Sequence, residues 1–321
     1  MNHLKKAIVL GAGGFIGSHL VKRLKTENYF VIGIDLKYPE FSTSPADSFI
    51  IGDLRDVNFV QSVIEEGIDE LYQLAGDVGG AGYIFTGEHD ADVMHNSSQI
   101  NLNIAKIATE KQVKALFFSS SACIYPAENQ TDPNNPNCEE SSAYPANPDS
   151  EYGWEKLVSE RLYLSYKRNY GLNVKIGRFH NIFGPESTWT GGKEKAPAAI
   201  CRKVAEAKEE QKIQIWGDGK QTRSFLFIED CIDAATKLMR SEFTGPYNIG
   251  SEEMISMNDF TQLVLEISNK RNEIENIEGP TGVQGRCSHN ALIEKDLNWT
   301  PKYTLKTGVE HLYKWISTQI D

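Results

Sequence analysis

The sequence predicts an α/β protein built on a doubly wound parallel sheet, and two observations lead to this prediction. Short apolar runs of strand length alternate with stretches of helical spacing through the first half of the chain. The first apolar run, residues 7–10, leads directly into a glycine-rich turn at 11–17 and then into a predicted helix. Alternating strands and helices form parallel sheets covered on both faces, and ligands bind at the carboxyl ends of the strands.

The composition is that of a globular protein with an acidic balance. The 321 residues carry a formal net charge of −11, which argues against a nucleic-acid surface because such a surface needs a basic stripe. An anionic ligand would therefore need a local basic pocket. No apolar run approaches the length that spans a bilayer. Five cysteines without CxxC pairing or nearby histidines predict reduced thiols, no metal site and a cytoplasmic location.

The turn after the first strand predicts a dinucleotide site. Gly11, Gly14 and Gly17 allow the backbone to turn tightly and to approach a pyrophosphate, which then lies at a helix N-terminus. The second predicted strand, residues 30–34, ends at Asp35, an acid that suits a ribose 2′-hydroxyl and repels a 2′-phosphate. We therefore expect NAD rather than NADP. A glycine turn without a ligand is the alternative explanation.

Further segments contribute to the same end of the predicted sheet. Asp53, in a strand end at 50–54, is expected either to meet the adenine amino group or to cap a helix that starts near Asn58. Gly79 lies in a second glycine cluster at 77–82, which either lets a sugar or phosphate lie against main chain or forms a flexible loop. The long helix predicted over 91–111 carries Asn96. The expected cofactor contacts are Gly11, Gly14, Phe15, Ile16, Gly17, Asp35, Asp53, Leu54 and Asn96, with Tyr152 and Lys156.

Hydroxyl groups at the end of another strand predict the reaction centre. The strand predicted over 116–121 ends in a row of serines, and Tyr152 and Lys156 lie four residues apart on a helix predicted over 152–170. Tyrosine has an unperturbed pKa of about 10, so we expect the lysine ammonium and the positive nicotinamide ring to lower the pKa of Tyr152. Ser121 is expected to hold the same substrate hydroxyl. This arrangement suits proton removal from an alcohol while NAD takes the hydride.

The motifs together resemble those of the extended short-chain dehydrogenase/reductases that modify nucleotide sugars. The matching features are GxxGxxG at 11–17, the serine row and YxxxK at 152–156. Segments 119–126, 178–185, 191–199 and 216–225 are similar to the group within that family that inverts C3 and C5 of GDP-mannose. The resemblance implies a Rossmann-type cofactor domain, a smaller C-terminal α/β domain for the GDP-sugar, and a homodimer formed by helices 91–111 and 152–170.

Sugar chemistry supports a role for Cys123 in this group. Oxidising a hexose at C4 makes the hydrogens on C3 and C5 acidic, because their carbanions delocalise as enolates. Related 4,6-dehydratases carry an Asp-Glu pair where this chain has Ala122 and Cys123, so no aspartic acid is present to protonate a departing 6-hydroxyl. Inversion needs proton removal on one face and delivery on the other, and Cys123 and Lys195 are the expected pair.

Cys123 follows Ser121 by two residues, so it is expected on the same face of the strand. A small buried hydrophobic residue is the alternative for this cysteine, and a solvated side chain is the alternative for Lys195. His180 is expected to be structural.

The second half of the chain supplies most of the expected substrate contacts. Arg286 is the expected diphosphate clamp, because a guanidinium binds phosphate oxygens bidentately. Lys203, on a helix predicted over 198–209, is expected to reach a phosphate. A solvated surface position is the alternative for each basic residue. With the contacts implied by the resemblance, the expected set is Gly79, Ser121, Cys123, Asn181, Glu194, Lys195, Ala196, Lys203, Gln221, Arg223 and Arg286.

The chain is expected to divide into an NAD-binding domain at residues 1–178 and a nucleotide-sugar-binding domain at residues 179–321. The segment at about 213–240 is expected to pack back onto the first domain. Two rival functions stay open at this point. One is oxidation or epimerisation at C4 of another GDP-sugar, such as a GDP-heptose. The other is a noncatalytic NAD(H) sensor on the same scaffold.

Overall fold

A computed structural model describes residues 4–320 and contains the predicted alternation of strands and helices. The strands are β1 (Lys6–Leu10), β2 (Phe30–Asp35), β3 (Ser48–Ile51), β4 (Glu70–Gln73), β5 (Leu116–Ser121), β6 (Val174–Phe179), β7 (Ile182–Phe183), β8 (Ile213–Trp216), β9 (Thr222–Ser224), β10 (Leu226–Phe227), β11 (Tyr247–Ile249), β12 (Met254–Ser256), β13 (Ile274–Ile277) and β14 (Gly285–Arg286). The helices are α1 (Phe15–Thr26), α2 (Val57–Val63), α3 (Ala81–Ile84), α4 (Asp90–Glu110), α5 (Glu151–Tyr170), α6 (Ala196–Glu206), α7 (Ile228–Met239), α8 (Met257–Ser268), α9 (Ala291–Leu297) and α10 (Leu305–Ile320).

Seven strands form one parallel sheet in the order β11-β6-β5-β4-β1-β2-β3. The strand order reverses between β1 and β4, and a doubly wound sheet binds its ligand outside the strand ends at such a point. Strands β1 and β5 are almost fully buried, as expected for a sheet covered on both faces. The predicted doubly wound Rossmann-type fold is therefore confirmed.

The turn between β1 and α1 depends on two glycines. Gly11 has a φ of +85°, in the left-handed region that favours glycine. A Cβ added at Gly17 would lie 2.0 Å from the carbonyl oxygen of Gly11, so a side chain there would push the helix off the strand. Leu20, Val21 and Leu24 then bury the inner face of α1. The glycines thus bring the N-terminus of α1 to the sheet edge.

The C-terminal part of the chain builds a smaller α/β unit beside this edge. Strand β9 pairs with β12 and β14, and β8 pairs in parallel with β13. Helices α6, α8 and α10 pack against one another beside these strands. None of the helices within residues 4–320 is long and apolar enough to cross a membrane.

The segment at about 213–240, which was predicted to pack back onto the first domain, is divided between the smaller unit and the large sheet. Strand β8 pairs with β13 in the smaller unit, whereas α7 packs against α1 on the large sheet. Beyond this segment, β11 adds a seventh strand to the large sheet next to β6. The division of the chain into domains at 178 and 179 stays a prediction.

Candidate active site

The carboxyl ends of the sheet strands open into a cleft with a volume of about 1050 Å³. The glycine turn, the end of β5 and the start of α5 line one side, and residues of the smaller unit line the other. All the residues predicted above to contact cofactor or substrate line this one cleft. The structure therefore brings the predicted site together, while the role of each residue stays a prediction.

The end of the cleft next to α1 fits a dinucleotide. Gly14 precedes α1 and offers no side-chain cap, so the N–H groups of the first turn are available to an anion. At the end of β2, the Asp35 carboxylate accepts a hydrogen bond from the Gly13 N–H at 2.9 Å. A pyrophosphate at the helix N-terminus and a ribose beside Asp35 match these features.

Asp53 pairs with an arginine rather than capping a helix. Arg55 Nη2 lies 2.6 Å from Asp53 Oδ2, and Arg55 Nη1 donates to Asn96 Oδ1 at 2.8 Å. The cap of α2 is Asp56, whose carboxylate accepts from the Asn58 N–H. The helix-cap alternative for Asp53 is therefore wrong. Asp53 and Asn96 lie together on the cofactor side of the cleft.

The second glycine cluster is tied to α4. Asn96 Nδ2 donates to Asp77 Oδ2 at 2.9 Å, and the Tyr83 hydroxyl donates to Asp77 Oδ1 at 2.9 Å. A Cβ added at Gly79 would lie 2.6 Å from the Cβ of Tyr83. The absence of a side chain at Gly79 thus lets Tyr83 pack under this loop, whose main chain borders the cleft.

Ser121, Tyr152 and Lys156 lie together at the centre of the cleft. The Ser121 side chain lies near enough to Tyr152 to act on its pKa, and Lys156 Nζ donates to the Ser119 carbonyl at 3.0 Å. Lys156 Nζ is 5.7 Å from the centre of the Tyr152 ring. Desolvation of its partly buried side chain, together with nearby Cys123, raises the pKa of Tyr152 against the lowering influence of Ser121. Burial is the largest effect among the protein groups, and the expected lowering of this pKa by Lys156 and the nicotinamide ring together stays a prediction.

Cys123 reaches the cleft by a turn and not by strand alternation. Strand β5 ends at Ser121, and Ala122–Ile124 forms a 3₁₀ turn whose Cys123 N–H donates to Ser121 Oγ at 3.2 Å. The predicted shared strand face was therefore wrong, although the thiol does line the cleft. Lys195 stands immediately before α6. Lys195 lines the cleft but its side chain is exposed to solvent, so the solvated alternative stays open for it. Desolvation by the surrounding protein lowers the pKa of Lys195 against the opposing influence of Cys123 and Cys231, which enlarges the fraction of neutral amine that can accept a proton near neutral pH.

Arg286 lies beside the thiol. Its Nη1 is 3.0 Å from Cys123 Sγ, its Nη2 donates to Asp149 Oδ2 at 2.8 Å, and its Nε donates to Gln130 Oε1 at 2.5 Å. The predicted solvated alternative is wrong for this residue, because its side chain is 5% exposed. Asp149 and Gln130 were not predicted from the sequence. Asp149 lies close to Tyr152 and Gln130 lies in a proline-rich loop, and neither position distinguishes them from other loop residues.

Arg223 adds a second, partly buried positive charge to the cleft. Its guanidinium donates to the carbonyl oxygens of Thr222, Thr281 and Val283. No carboxylate forms an ion pair with it within the described part of the chain. Burial, with a contribution from nearby Arg286, lowers the pKa of Arg223 to about 10. This pocket supplies the local positive charge that an anionic ligand of an acidic protein requires.

Lys203 and Gln221 border the same end of the cleft. Lys203 Nζ donates to the Gln214 carbonyl at 2.7 Å, so its charge is already held by main chain. Gln221 Nε2 donates to the Trp216 carbonyl at 2.9 Å. Gln221 Oε1 is buried and has no hydrogen-bond partner among residues 4–320. This oxygen is available to a ligand donor.

The remaining predicted contacts are held by neighbouring main chain or side chains. Asn181 adopts a φ of +44°, and its Nδ2 donates to the Ser224 carbonyl at 2.9 Å. Glu194 pairs with Arg202 at 3.3 Å, which fixes the loop that carries Lys195. Ala196 is the first residue of α6.

Gly153 connects the tyrosine helix to the cysteine turn. The Ser150 hydroxyl caps α5 by accepting from the Gly153 N–H at 3.3 Å. A Cβ added at Gly153 would lie 2.1 Å from the carbonyl oxygen of Cys123 and 2.8 Å from Pro148 Cβ. The first turn of α5 therefore rests directly on the main chain of Cys123.

His180 is buried against Asn248, and the five cysteines form no disulfide bonds. The fully buried His180 Nε2 lies 2.8 Å from Asn248 Oδ1, and burial lowers the pKa of His180 to about 3. All five cysteines are free thiols. Within residues 4–320, no group of three or more His, Cys, Asp or Glu side chains could hold a metal ion.

The fold and the site define an NAD-binding enzyme of the short-chain dehydrogenase/reductase class. The model of the NAD dependent epimerase/dehydratase family matches residues 7–250, and the chain belongs to this family, with NAD as its cofactor. It is 44% identical over 318 residues to GDP-mannose 3,5-epimerase from Arabidopsis thaliana, covering 98% of this chain and 83% of the relative.

Two further comparisons concern a second plant relative and a solved structure. The chain is 43% identical over 315 residues to GDP-mannose 3,5-epimerase 1 from Oryza sativa subsp. japonica, with 98% of this chain and 82% of the relative covered. UDP-glucose 4-epimerase from Thermotoga maritima, solved with UDP-glucose, superposes with a TM-score of 0.86 at 22% identity. That match covers 98% of this chain and 100% of the solved chain, and it shows the shared fold.

Proposed function

We propose that this protein is an epimerase that inverts C3 and C5 of GDP-mannose through transient oxidation at C4. The observation that carries the proposal is that Cys123 and Lys195 line the same cleft as Ser121, Tyr152 and Lys156. The names of the plant relatives supply the sugar.

The redox half of the proposed reaction belongs to Ser121 and Tyr152. Bound NAD supplies a hydride acceptor, and later a hydride donor, for C4 of the sugar. Ser121 holds the 4-hydroxyl, and Tyr152 takes its proton as the phenolate, which the positive nicotinamide ring would favour when NAD is bound. Lys156 is held behind the tyrosine by its bond to the Ser119 carbonyl. These groups act again in reverse when the hydroxyl is restored.

The proton-transfer half belongs to Cys123 and Lys195. While C4 is a ketone, the hydrogens on C3 and C5 are acidic, and inversion needs one group on each face of the ring. The lowered pKa of Lys195 makes its amine able to exchange protons near neutral pH. Ala122 has no acidic group, so loss of the 6-hydroxyl is disfavoured.

The nucleotide diphosphate is proposed to bind between Arg223 and Arg286. Both guanidiniums lie in the cleft, and Arg223 has main-chain partners but no carboxylate partner in the described chain. Lys203 is proposed to act at the edge of the phosphate site. Its bond to the Gln214 carbonyl leaves its charge close to the cleft without placing the amine at its centre.

Incubation with GDP-mannose in deuterium oxide tests the proposal. We expect solvent deuterium at C5, C3 or both in recovered sugar, read by NMR, together with the epimerised product. Tyr152→Phe should reduce this exchange by roughly 10²–10⁴-fold, because the ketone no longer forms. Tyr170→Phe, at the exposed end of the same helix, is the control. Turnover without any exchange would contradict the proposal.

The rival functions predict different outcomes in a wider panel. Oxidation or C4 epimerisation of another GDP-sugar would give product from that sugar and not from GDP-mannose. Testing GDP-mannose, a GDP-heptose and UDP-sugars side by side separates these cases. A noncatalytic sensor would bind NAD(H) and turn over none of them.

The proposed enzyme is a homodimer that works in the cytoplasm. Leu102 on α4 and Val158 on α5 are 50% and 55% exposed, and these helices pack side by side. Their outer faces supply apolar surface for a second copy. A reducing compartment keeps Cys123 as a thiol, which the proton-transfer role requires.

A further inference from the structure

A buried carboxylate and the thiol of Cys123 share one guanidinium. Arg286 places Nη1 3.0 Å from Cys123 Sγ and Nη2 2.8 Å from Asp149 Oδ2. The Arg286 and Asp149 side chains are 5% and 9% exposed, so water screens their charges little. The third contact, from Nε to Gln130, fixes the plane of the guanidinium. The thiol and the carboxylate therefore interact across a fixed cation.

The net charge beside the thiol depends on this carboxylate. Burial alone would lower the pKa of Arg286, but Cys123 and Asp149 raise it, so the guanidinium is charged. The other titratable groups that interact electrostatically with Cys123 are Lys195, Arg223, Tyr152 and Cys138. Lys195 and Arg223 add positive charge when protonated. Asp149 is the carboxylate paired with this cluster.

A group that removes and returns a proton must exist in both protonation states within one turnover. Cations stabilise a thiolate, and a thiolate held by several of them would not take its proton back. A carboxylate on the far edge of Arg286 opposes this stabilisation. The geometry thus supplies both a cation to favour the thiolate and an anion to limit that preference.

We propose that Asp149 is a positioning residue whose carboxylate, acting through Arg286, keeps Cys123 able to serve as both base and acid. The need for both states rests on the proposed function. The charge balance itself does not, because ionisation of Cys123 is measurable without any sugar. Failure of the charge balance at Cys123 can therefore be distinguished from failure of the proposed function.

The test measures how fast iodoacetamide alkylates Cys123 as pH changes, with mass spectrometry of the peptide. Asp149→Asn keeps an oxygen for Arg286 Nη2 but removes the charge, so the midpoint of the pH profile should fall by about 1 unit. Asp149→Glu should restore the original midpoint. Asp92→Asn removes an exposed carboxylate outside this cluster and should leave the midpoint unchanged. In each protein Cys287, whose pKa burial raises to about 11, is an internal reference.

A second variant tests the opposite sign. Gln130→Glu places a carboxylate at the Nε edge of the same guanidinium, so the Cys123 midpoint should rise by about 1 unit. Retained NAD and an unchanged melting temperature identify folded variants. One folded variant, Asp149→Asn or Gln130→Glu, is enough to test the proposal. With active protein, the acid limb of the deuterium-exchange profile should move with the midpoint.

An unchanged midpoint in a folded variant, or a shift in the reverse direction, would overturn the role of Asp149. A shift as expected in a protein that turns over no GDP-sugar would uphold the charge balance and defeat only the proposed function.

Discussion

Burial shifts the pKa values of the titratable side chains in the cleft more than any single charged neighbour does. It raises the pKa of Tyr152, and it lowers the pKa of Lys156 against the opposing influence of Glu155 and Glu160. Both shifts favour the neutral forms. Proton transfer from a substrate hydroxyl therefore has to begin in a site that has little water, where each hydrogen bond and each charge counts for more.

His180 is expected to make the folded state sensitive to acid. Burial lowers its pKa from the ordinary 6.5 to about 3, aided by Arg286 and Arg178 and opposed by the bond to Asn248. Below about pH 6.5 the unfolded chain binds a proton that the folded chain refuses, so stability is lost as the pH falls towards 3. His180→Gln should remove roughly 2 kcal/mol of this loss by about pH 4.5.

Urea unfolding at several pH values measures this loss for both proteins. His311→Gln, at an exposed position, should leave the pH dependence unchanged. Equal pH dependence in wild-type and His180→Gln proteins would show that His180 does not contribute.

Residue-level prediction from sequence succeeded where local motifs specify the position. Asp35 and Tyr152 follow directly from a strand end and from the YxxxK spacing, and both line the cleft. The pairing of Arg286 with Cys123 joins positions 163 residues apart, and no local pattern encodes it. Likewise, the burial that raises the pKa of Tyr152 depends on every element that covers the site.

At the scale of elements, one buried ion pair holds the tyrosine helix against the sheet. Arg178 on β6 donates to Glu160 on α5 through Nε at 3.0 Å and through Nη2 at 2.9 Å. Ser120 on β5 donates to the same carboxylate at 2.5 Å. Because Tyr152 lies on α5, these bonds set the distance between the tyrosine and the serine row.

Breaking this ion pair from one side is expected to be costly. Arg178→Met leaves Glu160 charged, buried and without its cation, which should lower the free energy of unfolding by about 3–5 kcal/mol. The double variant Arg178→Met, Glu160→Met should lose much less than the sum of the two single variants, because no unpaired charge is left. Lys106→Met, which breaks an exposed pair with Glu110, should cost under about 1 kcal/mol. Urea unfolding of the wild type, the two single variants, the double variant and Lys106→Met gives the comparison. A loss in the double variant equal to the sum of the two single losses would contradict this prediction.

Element bounds were predicted well where apolar periodicity is regular and less well where distant residues end an element. Strand β5 has the predicted bounds. Helix α6 ends at Glu206 and not at residue 209. Lys270 Nζ donates to the carbonyls of Val204, Ala205 and Ala207, so the last turn is closed by a side chain from a distant segment. Sequence spacing carries no information on such a contact.

At the scale of the molecule, an acidic protein places Arg223 and Arg286 in its cleft and exposes apolar side chains on two neighbouring helices. The proposed dimer should therefore depend on Leu102 and Val158. Replacing both with glutamate should shift the mass measured by light scattering from two chains towards one, because charge does not enter an apolar interface cheaply. Leu4→Glu, at an exposed position on the large unit, is the control. A double variant that keeps the wild-type mass would reject this interface.

The contact between Gly153 and the Cys123 carbonyl limits how this enzyme can change. No side chain fits there, so Tyr152 and Cys123 form one rigid wall of the cleft. A bulkier sugar cannot be admitted by moving that wall without displacing the tyrosine as well. Adaptation to a new substrate therefore has to come from the opposite wall, where the loop that carries Lys195 has glycines at 191 and 192.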